Sequence, residues 1–407
     1  MSNTQTKNVP ELRFPGFEGE WEEKKLGDLT TKIGSGKTPK GGSENYTNKG
    51  IPFLRSQNIR NGKLNLNDLV YISKDIDDEM KNSRTYYGDV LLNITGASIG
   101  RTAINSIVET HANLNQHVCI IRLKKEYYYN FFGQYLLSRK GKRKIFLAQS
   151  GGSREGLNFK EIANLKIFTP TIFEEQQKIG QFFSKLDRQI ELEEQKLELL
   201  QQQKKGYMQK IFSQELRFKD ENSEDYPHWE NSKIEKYLKE RNERSDKGQM
   251  LSVTINSGII KFSELDRKDN SSKDKSNYKV VRKNDIAYNS MRMWQGASGK
   301  SNYNGIVSPA YTVLYPTQNT SSLFIGYKFK THRMIHKFKI NSQGLTSDTW
   351  NLKYKQLKNI NIDIPVLAEQ EKIGDFFKKM DILISKQKIK IEILEKEKQS
   401  FLQKMFL

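Results

Sequence analysis

Residues 33–39 read Ile-Gly-Ser-Gly-Lys-Thr-Pro, a glycine-rich run closing on a lysine and a threonine. Such residues do chemistry where backbone N–H groups cradle a phosphate, the lysine meets its outer oxygens and the hydroxyl holds magnesium. That loop needs a glycine at position 31 and a helix beginning at the lysine. Position 31 is Thr31, Pro39 pushes Thr38 away from helical geometry, and Gly41-Gly42 oppose a helix beyond. An NTP-binding enzyme built on residues 34–38 is therefore the weaker alternative. A basic loop that approaches a phosphodiester through Lys37, Thr38 and Lys40 suits the residues better.

A second group of side chains has the donors and acceptors that read base edges. Arginine pairs bidentately with guanine, and asparagine or glutamine with adenine, while other cations hold phosphates. Arg55, Gln57, Asn58 and Arg60 cluster at a predicted strand end, and Asn93, Thr95, Ser98 and Arg101 follow along a glycine-broken segment. Further on stand Arg292, Trp294, Gln295, Ser298 and Lys300, then Gln343, Thr346 and Trp350. Arg154 and Arg244 complete the candidates. Each of these alone is better explained as a solvated surface residue; the set carries more weight than its members.

Catalytic patterns are missing. There is no Asn/Asp-Pro-Pro-aromatic stretch to hold a flipped base, and no Pro-Asp…Glu-x-Lys nuclease arrangement. His332 and His336 are four apart on a predicted helix, but no third ligand accompanies them, so no metal site is expected. The single cysteine, Cys119, excludes an internal disulfide framework. The N-terminal segment lacks an apolar core and no run of about 18 apolar residues occurs, so a cytoplasmic protein without a membrane span is expected.

The elements that must position these residues are written twice. "EEQQKIGQFFSKLD" at 174–187 recurs as "AEQEKIGDFFKKMD" at 368–381, and "YMQKIF" at 207–212 is echoed by "LQKMF" at 402–406. "ELRF" opens both halves, at 11–14 and 215–218, with Trp21 and Trp229 following. Between these landmarks little is shared beyond fragments such as Gly-Asp-Val at 88–90 against Asn-Asp-Ile at 284–286. Two modules of one architecture have kept their ends and diverged in their middles.

The repeated ends carry a 4-then-3 apolar spacing, the seam of a coiled coil. In the first copy it runs through Ile179, Phe183, Leu186, Ile190, Leu197 and Leu200, with Phe182 beside it. In the second it runs through Ile373, Phe377, Met380, Ile384, Ile391 and Leu394, with Phe376 beside it. Polar interruptions fall at matching places: Glu193 with Gln387, and Lys204 with Lys398. A long helix with such a stripe needs a partner, and its own repeat is the obvious candidate; homodimerisation is the alternative, better suited to a half-length chain than to one carrying both halves. The phenylalanine pairs serve equally as core or as docking surface for another subunit.

Charge follows the same division. The chain carries 68 Lys+Arg against 48 Asp+Glu, a formal +20. Residues 1–170 and 213–365 are each net +9, whereas 171–212 are neutral and 366–407 are +2. Two basic bodies joined by near-neutral helices suit a polyanion gripped at two places. Short runs bounded by glycine and asparagine, such as 51–59, 89–104, 117–123, 249–260, 285–291 and 310–316, read as strands. Stretches 128–149 and 322–340 read as basic amphipathic helices. Each module is thus of mixed α+β class.

The paired "EQ-x-K-I-G-x-F-F-x-K" helix starts at 175–185 and 369–379, the "ELRF…W" openings and the early Gly-Ser-Gly-Lys-Thr-Pro resemble the specificity subunits of type I restriction–modification systems. The resemblance covers essentially the whole chain. It implies an α+β fold with two repeated globular target recognition domains, at 13–170 and 213–365. These are separated by two long conserved helices, a central spacer at 171–212 and a C-terminal one at 366–407, forming an antiparallel coiled coil. It also implies a non-catalytic subunit that reads a bipartite double-stranded DNA target. Its partners would be two methylation subunits, docked on the shared regions, and restriction subunits in the full complex. S-adenosylmethionine, ATP and magnesium would sit on those partners and not in this chain. A general nucleic-acid-binding scaffold is the other reading. One departure stands out: the second module's opening, at 236–258, has no counterpart of the glycine-rich loop.

Overall fold

The computed structural model describes residues 8–149, 156–266 and 274–407. The chain divides into two compact units, one of residues 1–195 with 389–407 and the other of residues 196–388. Two long helices, Phe173–Phe212 of 40 residues and Leu367–Lys404 of 38, contribute to both. Each unit therefore holds the head of one long helix and the tail of the other.

In the first unit the helix stretches run antiparallel. Phe182 meets Phe401, Phe183 stacks on Phe406 at 5.8 Å, Asp187 pairs with Lys398, and Glu193 pairs with Lys390. In the second unit the same register recurs. Phe212 stacks on Phe377 at 5.8 Å, Tyr207 packs edge-on against Phe376, and Lys204 pairs with Asp381 at 2.6 Å. The predicted seam faces inward. Ile179, Phe183, Ile373, Phe377, Met380, Ile391 and Leu394 are buried, and Phe182, Leu186, Ile190, Leu197, Leu200, Phe376 and Ile384 are half-buried. Together these stretches confirm two repeated α+β bodies with two long antiparallel helices.

Both bodies use one frame. In the first, an antiparallel sheet places Thr30–Ser35 beside Val118–Leu123, then Val90–Asn93, then Thr102–Ile104. In the second, Leu238–Glu240, Tyr311–Pro316, Ile286–Asn289 and Ser298–Lys300 lie in the same order. A strand just after the tryptophan pairs with the strand before the long helix, Glu22–Lys25 with Lys166–Thr169 and Glu230–Lys233 with Asn361–Ile364. The turn entering the central strand explains the echo of 88–90 in 284–286. Gly88 and Asn284 both sit at positive φ, +86° and +75°, where glycine and asparagine are the tolerated residues.

The divergent middles fold differently. The first unit inserts a four-stranded sheet of Val70–Ile72, Ile51–Leu54, Ala112–Leu114 and Arg84–Thr85. The second inserts two antiparallel pairs, Leu251–Thr254 with Gly258–Lys261 and Lys279–Val281 with Gly305–Val307.

Two expectations are corrected. The single helices expected at 128–149 and 322–340 are each two. Tyr129–Leu137 stops at Ser138, whose hydroxyl accepts from Gly141 N and caps Arg139–Leu147; Thr331 likewise caps His332–Asn341 after Ser322–Lys328. Nor is Gly34–Pro39 a free loop. Gly34 and Ser35 finish a strand, Gly36 N donates to Val118 O at 3.2 Å, and Lys37 N donates to Leu114 O at 2.9 Å. N–H groups committed to neighbouring carbonyls cannot cradle a phosphate, so the nucleotide reading loses its physical basis.

Candidate nucleic-acid interface

The strands of the first unit end on a common rim, and most of its candidate residues lie there. Ser35 closes one strand, Asn93 another and Leu54 a third, while Val118 and Thr102 begin their neighbours. Asn93 binds two candidate clusters together. Its Nδ2 donates to Ser56 O at 2.9 Å, and its backbone N donates to Arg101 O at 2.9 Å. The turns carrying Gln57 and Arg60 on one side, and Thr95, Ser98 and Arg101 on the other, are thus held adjacent. Lys37, Lys40, Gln57 and Arg60 are exposed; Thr38, Arg55, Thr95, Ser98 and Arg101 are half-buried. Arg55 lies over the Tyr46 ring and donates to Asp68 O at 2.7 Å.

The second unit builds its rim at the corresponding strand end. The turn after Asn289 carries Arg292, Trp294 and Gln295, and Arg292 Nη1 donates to Gln295 Oε1 at 3.2 Å. The Trp294 ring meets Trp350 edge-on at 5.2 Å, and Lys339 stands over Trp350 at 5.7 Å. Gln343 exchanges two backbone hydrogen bonds with Asn351, which keeps it and exposed Thr346 beside this pair. Two cations, two amides and two indoles converge in one small area.

Several candidates lie elsewhere. Asn58 is fully buried; its Oδ1 accepts from Arg55 N at 2.9 Å and its Nδ2 donates to Asn65 O at 2.8 Å, so it caps a turn. Asn93 is equally buried, and its work is the bridge just described. Ser298 is 1% exposed and borders an internal cavity, not the rim. These three cannot present side chains to a base edge in this conformation. Lys300 pairs across the sheet from Ile286, at the strand end opposite the Trp294 turn, and donates to Asn302 Oδ1 at 2.8 Å. Arg244 is exposed and donates to Asn277 Oδ1 at 2.8 Å, with no tie to the tryptophan pair. Arg154 lies outside the described residues.

Sequence reasoning missed the anchors that hold each rim's body to its helix. Glu175, fully buried in the first turn of the long helix, accepts from Arg13 Nε and Nη2 at 2.7 Å each and from Trp21 Nε1 at 3.3 Å. Glu369 does the same for Arg217, at 3.1 and 2.6 Å, and for Trp229 at 3.2 Å. The next residue ties in the body's own helix. Gln176 accepts from Tyr128 N at 3.0 Å and Gln370 from Ser321 N at 2.9 Å, while their amides donate to Pro170 O and Pro365 O. The repeated Glu-Gln and "ELRF…W" were the available signal. Two buried aspartates, Asp89 with Arg122 and Asp285 with Arg241, were also missed; Arg122 stands on the Val118–Leu123 strand and Arg241 just past Leu238–Glu240, places that do not correspond in the two units, so no motif connects them.

Among the described residues no cluster of His, Cys, Asp and Glu could hold a metal, and no helix is long and apolar enough to cross a membrane. Burial pushes the Cys119 thiol up to about 12, which makes it an inert core group.

Two copies of one α+β frame, each buttoned to the start of a long helix and each carrying a different insert, define a tandem-repeat protein with divergent rims. The family model for the type I restriction modification DNA specificity domain matches twice, over residues 18–202 and 209–395, and the chain belongs to that family. The MjaX type I restriction enzyme specificity subunit of Methanocaldococcus jannaschii is 25% identical over 217 residues, 52% of this chain and 48% of that protein. The EcoBI type I restriction enzyme specificity subunit of Escherichia coli is 31% identical over 144 residues, 34% of this chain and 30% of its own. The matched stretch is thus about half the length of the first relative and under a third of the second. Across the whole chain the fold resembles the S subunit of the type I restriction–modification system from M. genitalium, with a TM-score of 0.60 at 14% identity over 98% of this chain and 99% of that one. A chain from a structure concerned with complex assembly and conformational transition of the type I system superposes with a TM-score of 0.53 at 15% identity, over 97% of this chain and 98% of that one.

Proposed function

We propose that this protein is the non-catalytic DNA-reading subunit of a type I restriction–modification complex, working in the cytoplasm. Recognition domains 13–170 and 213–365 each read one half of a bipartite duplex target. The helices at 171–212 and 366–407 fix the unread gap and hold two methylation subunits, with restriction subunits joining in the full complex. Adenine N6 methylation and ATP-driven cleavage belong to those partners, which carry S-adenosylmethionine, ATP and magnesium.

The observation that carries this reading is one frame bearing two different rims. The first rim combines Lys37, Gln57, Arg60 and Arg101; the second combines Arg292, Gln295 and the Trp294–Trp350 pair. Divergent donor sets on a shared frame are what two unlike half-sites require, because base-edge contacts specify sequence while the frame only positions them. Co-expression with a methylation subunit, followed by mapping of methylated adenines in genomic DNA, tests it directly. A motif of two half-sites with a constant gap is expected; methylation without a shared motif rejects the proposal. A general nucleic-acid scaffold is separated by competing duplex DNA against RNA over a salt series, since only a sequence reader keeps a sequence-dependent component at high salt.

A further inference from the structure

The second unit contains a cavity of about 1800 Å³ that the base-reading proposal does not use. Its walls come from the tail of the first long helix, the Gly258 hairpin, the Ser298–Lys300 strand and the residues around Lys330. Asp381 is the one acidic side chain among its described lining residues, and Lys204 neutralises it at 2.6 Å. Lys205, Lys300, Lys328, Lys330, Arg333 and Lys378 remain around the space.

Two of these cations, Lys328 buried and Lys330 half-buried, have no carboxylate in hydrogen-bond contact. Lys328 is 2% exposed, and its Nζ stands 4.8 Å from the Trp229 ring and 5.3 Å from Phe212. Asp363, the acid nearest in influence, is already bound by Arg333 at 3.1 Å. Lys330 Nζ donates to Ile255 O at 2.7 Å and to Gly296 O, both neutral carbonyls. Burial pushes both ammonium groups down to about 8. Ser298 Oγ, 1% exposed, lines the same cavity and has no hydrogen-bond partner.

The frame does not demand this arrangement. Phe131 and Phe324 occupy equivalent places against Trp21 and Trp229, at 5.6 and 5.8 Å. Four residues on, the first unit has Tyr135 against Phe406, whereas the second has Lys328 over Phe212. An aromatic side chain fills the site, so a buried lysine met only by ring faces and by the field of an already paired Asp363 costs stability unless an anion completes it. A lone hydroxyl beside such cations supplies the donor that an oxyanion accepts.

We propose that the cavity binds a small molecule bearing an oligophosphate, with Lys328, Lys330 and Ser298 as its inner contacts and Lys205 and Lys378 at its mouth. The phosphate chemistry could also be met by a DNA backbone, and the test separates the two sources. The full chain is titrated calorimetrically with inorganic triphosphate in magnesium-free buffer. Saturable one-site binding is expected, weakened roughly tenfold or more by Lys328→Met and by the exposed-mouth change Lys378→Glu. Lys378→Glu keeps the test open if the buried variant fails to fold. An absence of saturable binding, or wild-type affinity in the folded variants, overturns the proposal. So does stoichiometric displacement of triphosphate by a short duplex of random sequence, which would assign the cavity to backbone phosphates. None of these outcomes bears on the methylated-motif experiment, so the two proposals stand or fall separately.

Discussion

Arg13 grips Glu175 with two hydrogen bonds of 2.7 Å across 162 positions of sequence, and Arg217 grips Glu369 in the same way across 152. Each carboxylate also takes the indole N–H of its unit's tryptophan. Truncating one partner leaves the other charge enclosed and unmatched, which costs about 3 kcal/mol. Glu175→Ala should therefore lower the stability of the first unit, and Glu369→Ala that of the second. Urea unfolding followed through Trp21 and Trp229 measures both; a loss under about 0.5 kcal/mol, typical of an exposed pair, would contradict the anchoring role.

Two of the polar interruptions of the helix seam, Lys398 and Lys204, form ion pairs inside their units, with Asp187 and Asp381. Gln134 Nε2 donates to Asp187 at 2.8 Å and Tyr327 OH to Asp381 at 2.7 Å, so each pair is also fastened to its body. A double-mutant cycle of Asp187→Ala with Lys398→Ala should give a coupling of about 1–2 kcal/mol. A coupling indistinguishable from zero would reduce the pair to surface decoration.

Gly36 and Lys37 should respond to substitution in the order opposite to that of a phosphate loop. A Cβ on Gly36 would stand 1.8 Å from Leu114 O, so Gly36→Ala should cost about 3 kcal/mol or more of stability. Lys37 is exposed, and Lys37→Ala should leave stability unchanged while weakening DNA binding. ATP turnover that disappears in purified Lys37→Ala would restore the rejected nucleotide reading.

Asp77 gives the first unit an acid limb. Burial raises its carboxyl, but hydrogen bonds from Arg84, Asn113 at 2.9 Å and His111 at 3.0 Å outweigh this and hold it below its ordinary 3.8. A carboxyl lowered on folding stabilises fully above its unfolded value, and that contribution drains away as pH falls through the folded one. Stability should thus drop below about pH 4, and Asp77→Asn should both lose about 2 kcal/mol at neutral pH and flatten that acid limb. Thermal midpoints from pH 7 to 3 measure the slope; an unchanged slope in the variant assigns it to other carboxylates.

If the long helices set the gap, inserting four residues into one of them, about one turn or 6 Å, should lengthen the unread stretch of the target. Mapping methylated adenines for the inserted protein reads the new spacing. An unchanged gap would show that something other than helix length fixes it.

The helices and their seam were legible because a repeat of period seven, written twice with matching interruptions, leaves little else for Ile179, Phe183, Ile373 and Phe377 to do. Strand positions were legible from short apolar runs, but pairing was not: strand order depends on contacts far apart in sequence, such as Thr30–Ser35 beside Val118–Leu123. The rim was half legible. Residue type marked Gln57, Arg60, Arg292 and Trp294, yet Asn58, Asn93 and Ser298 have the same polar look and are enclosed by turns and strands that no spacing announces. Buried partnerships such as Asp285 with Arg241 belong to the closed sheet, not to any local pattern.

Because Phe183 stacks on Phe406 and Ile179 shares a core with Leu402 and Met405, the body nearest the N-terminus lacks part of its interior until residue 406 exists. The other body has everything it needs once residue 388 has been made. During synthesis the order of completion is therefore the reverse of the order of translation. Until that last stretch arrives, the helix face of the first body, Ile179 and Phe183 included, stays bare.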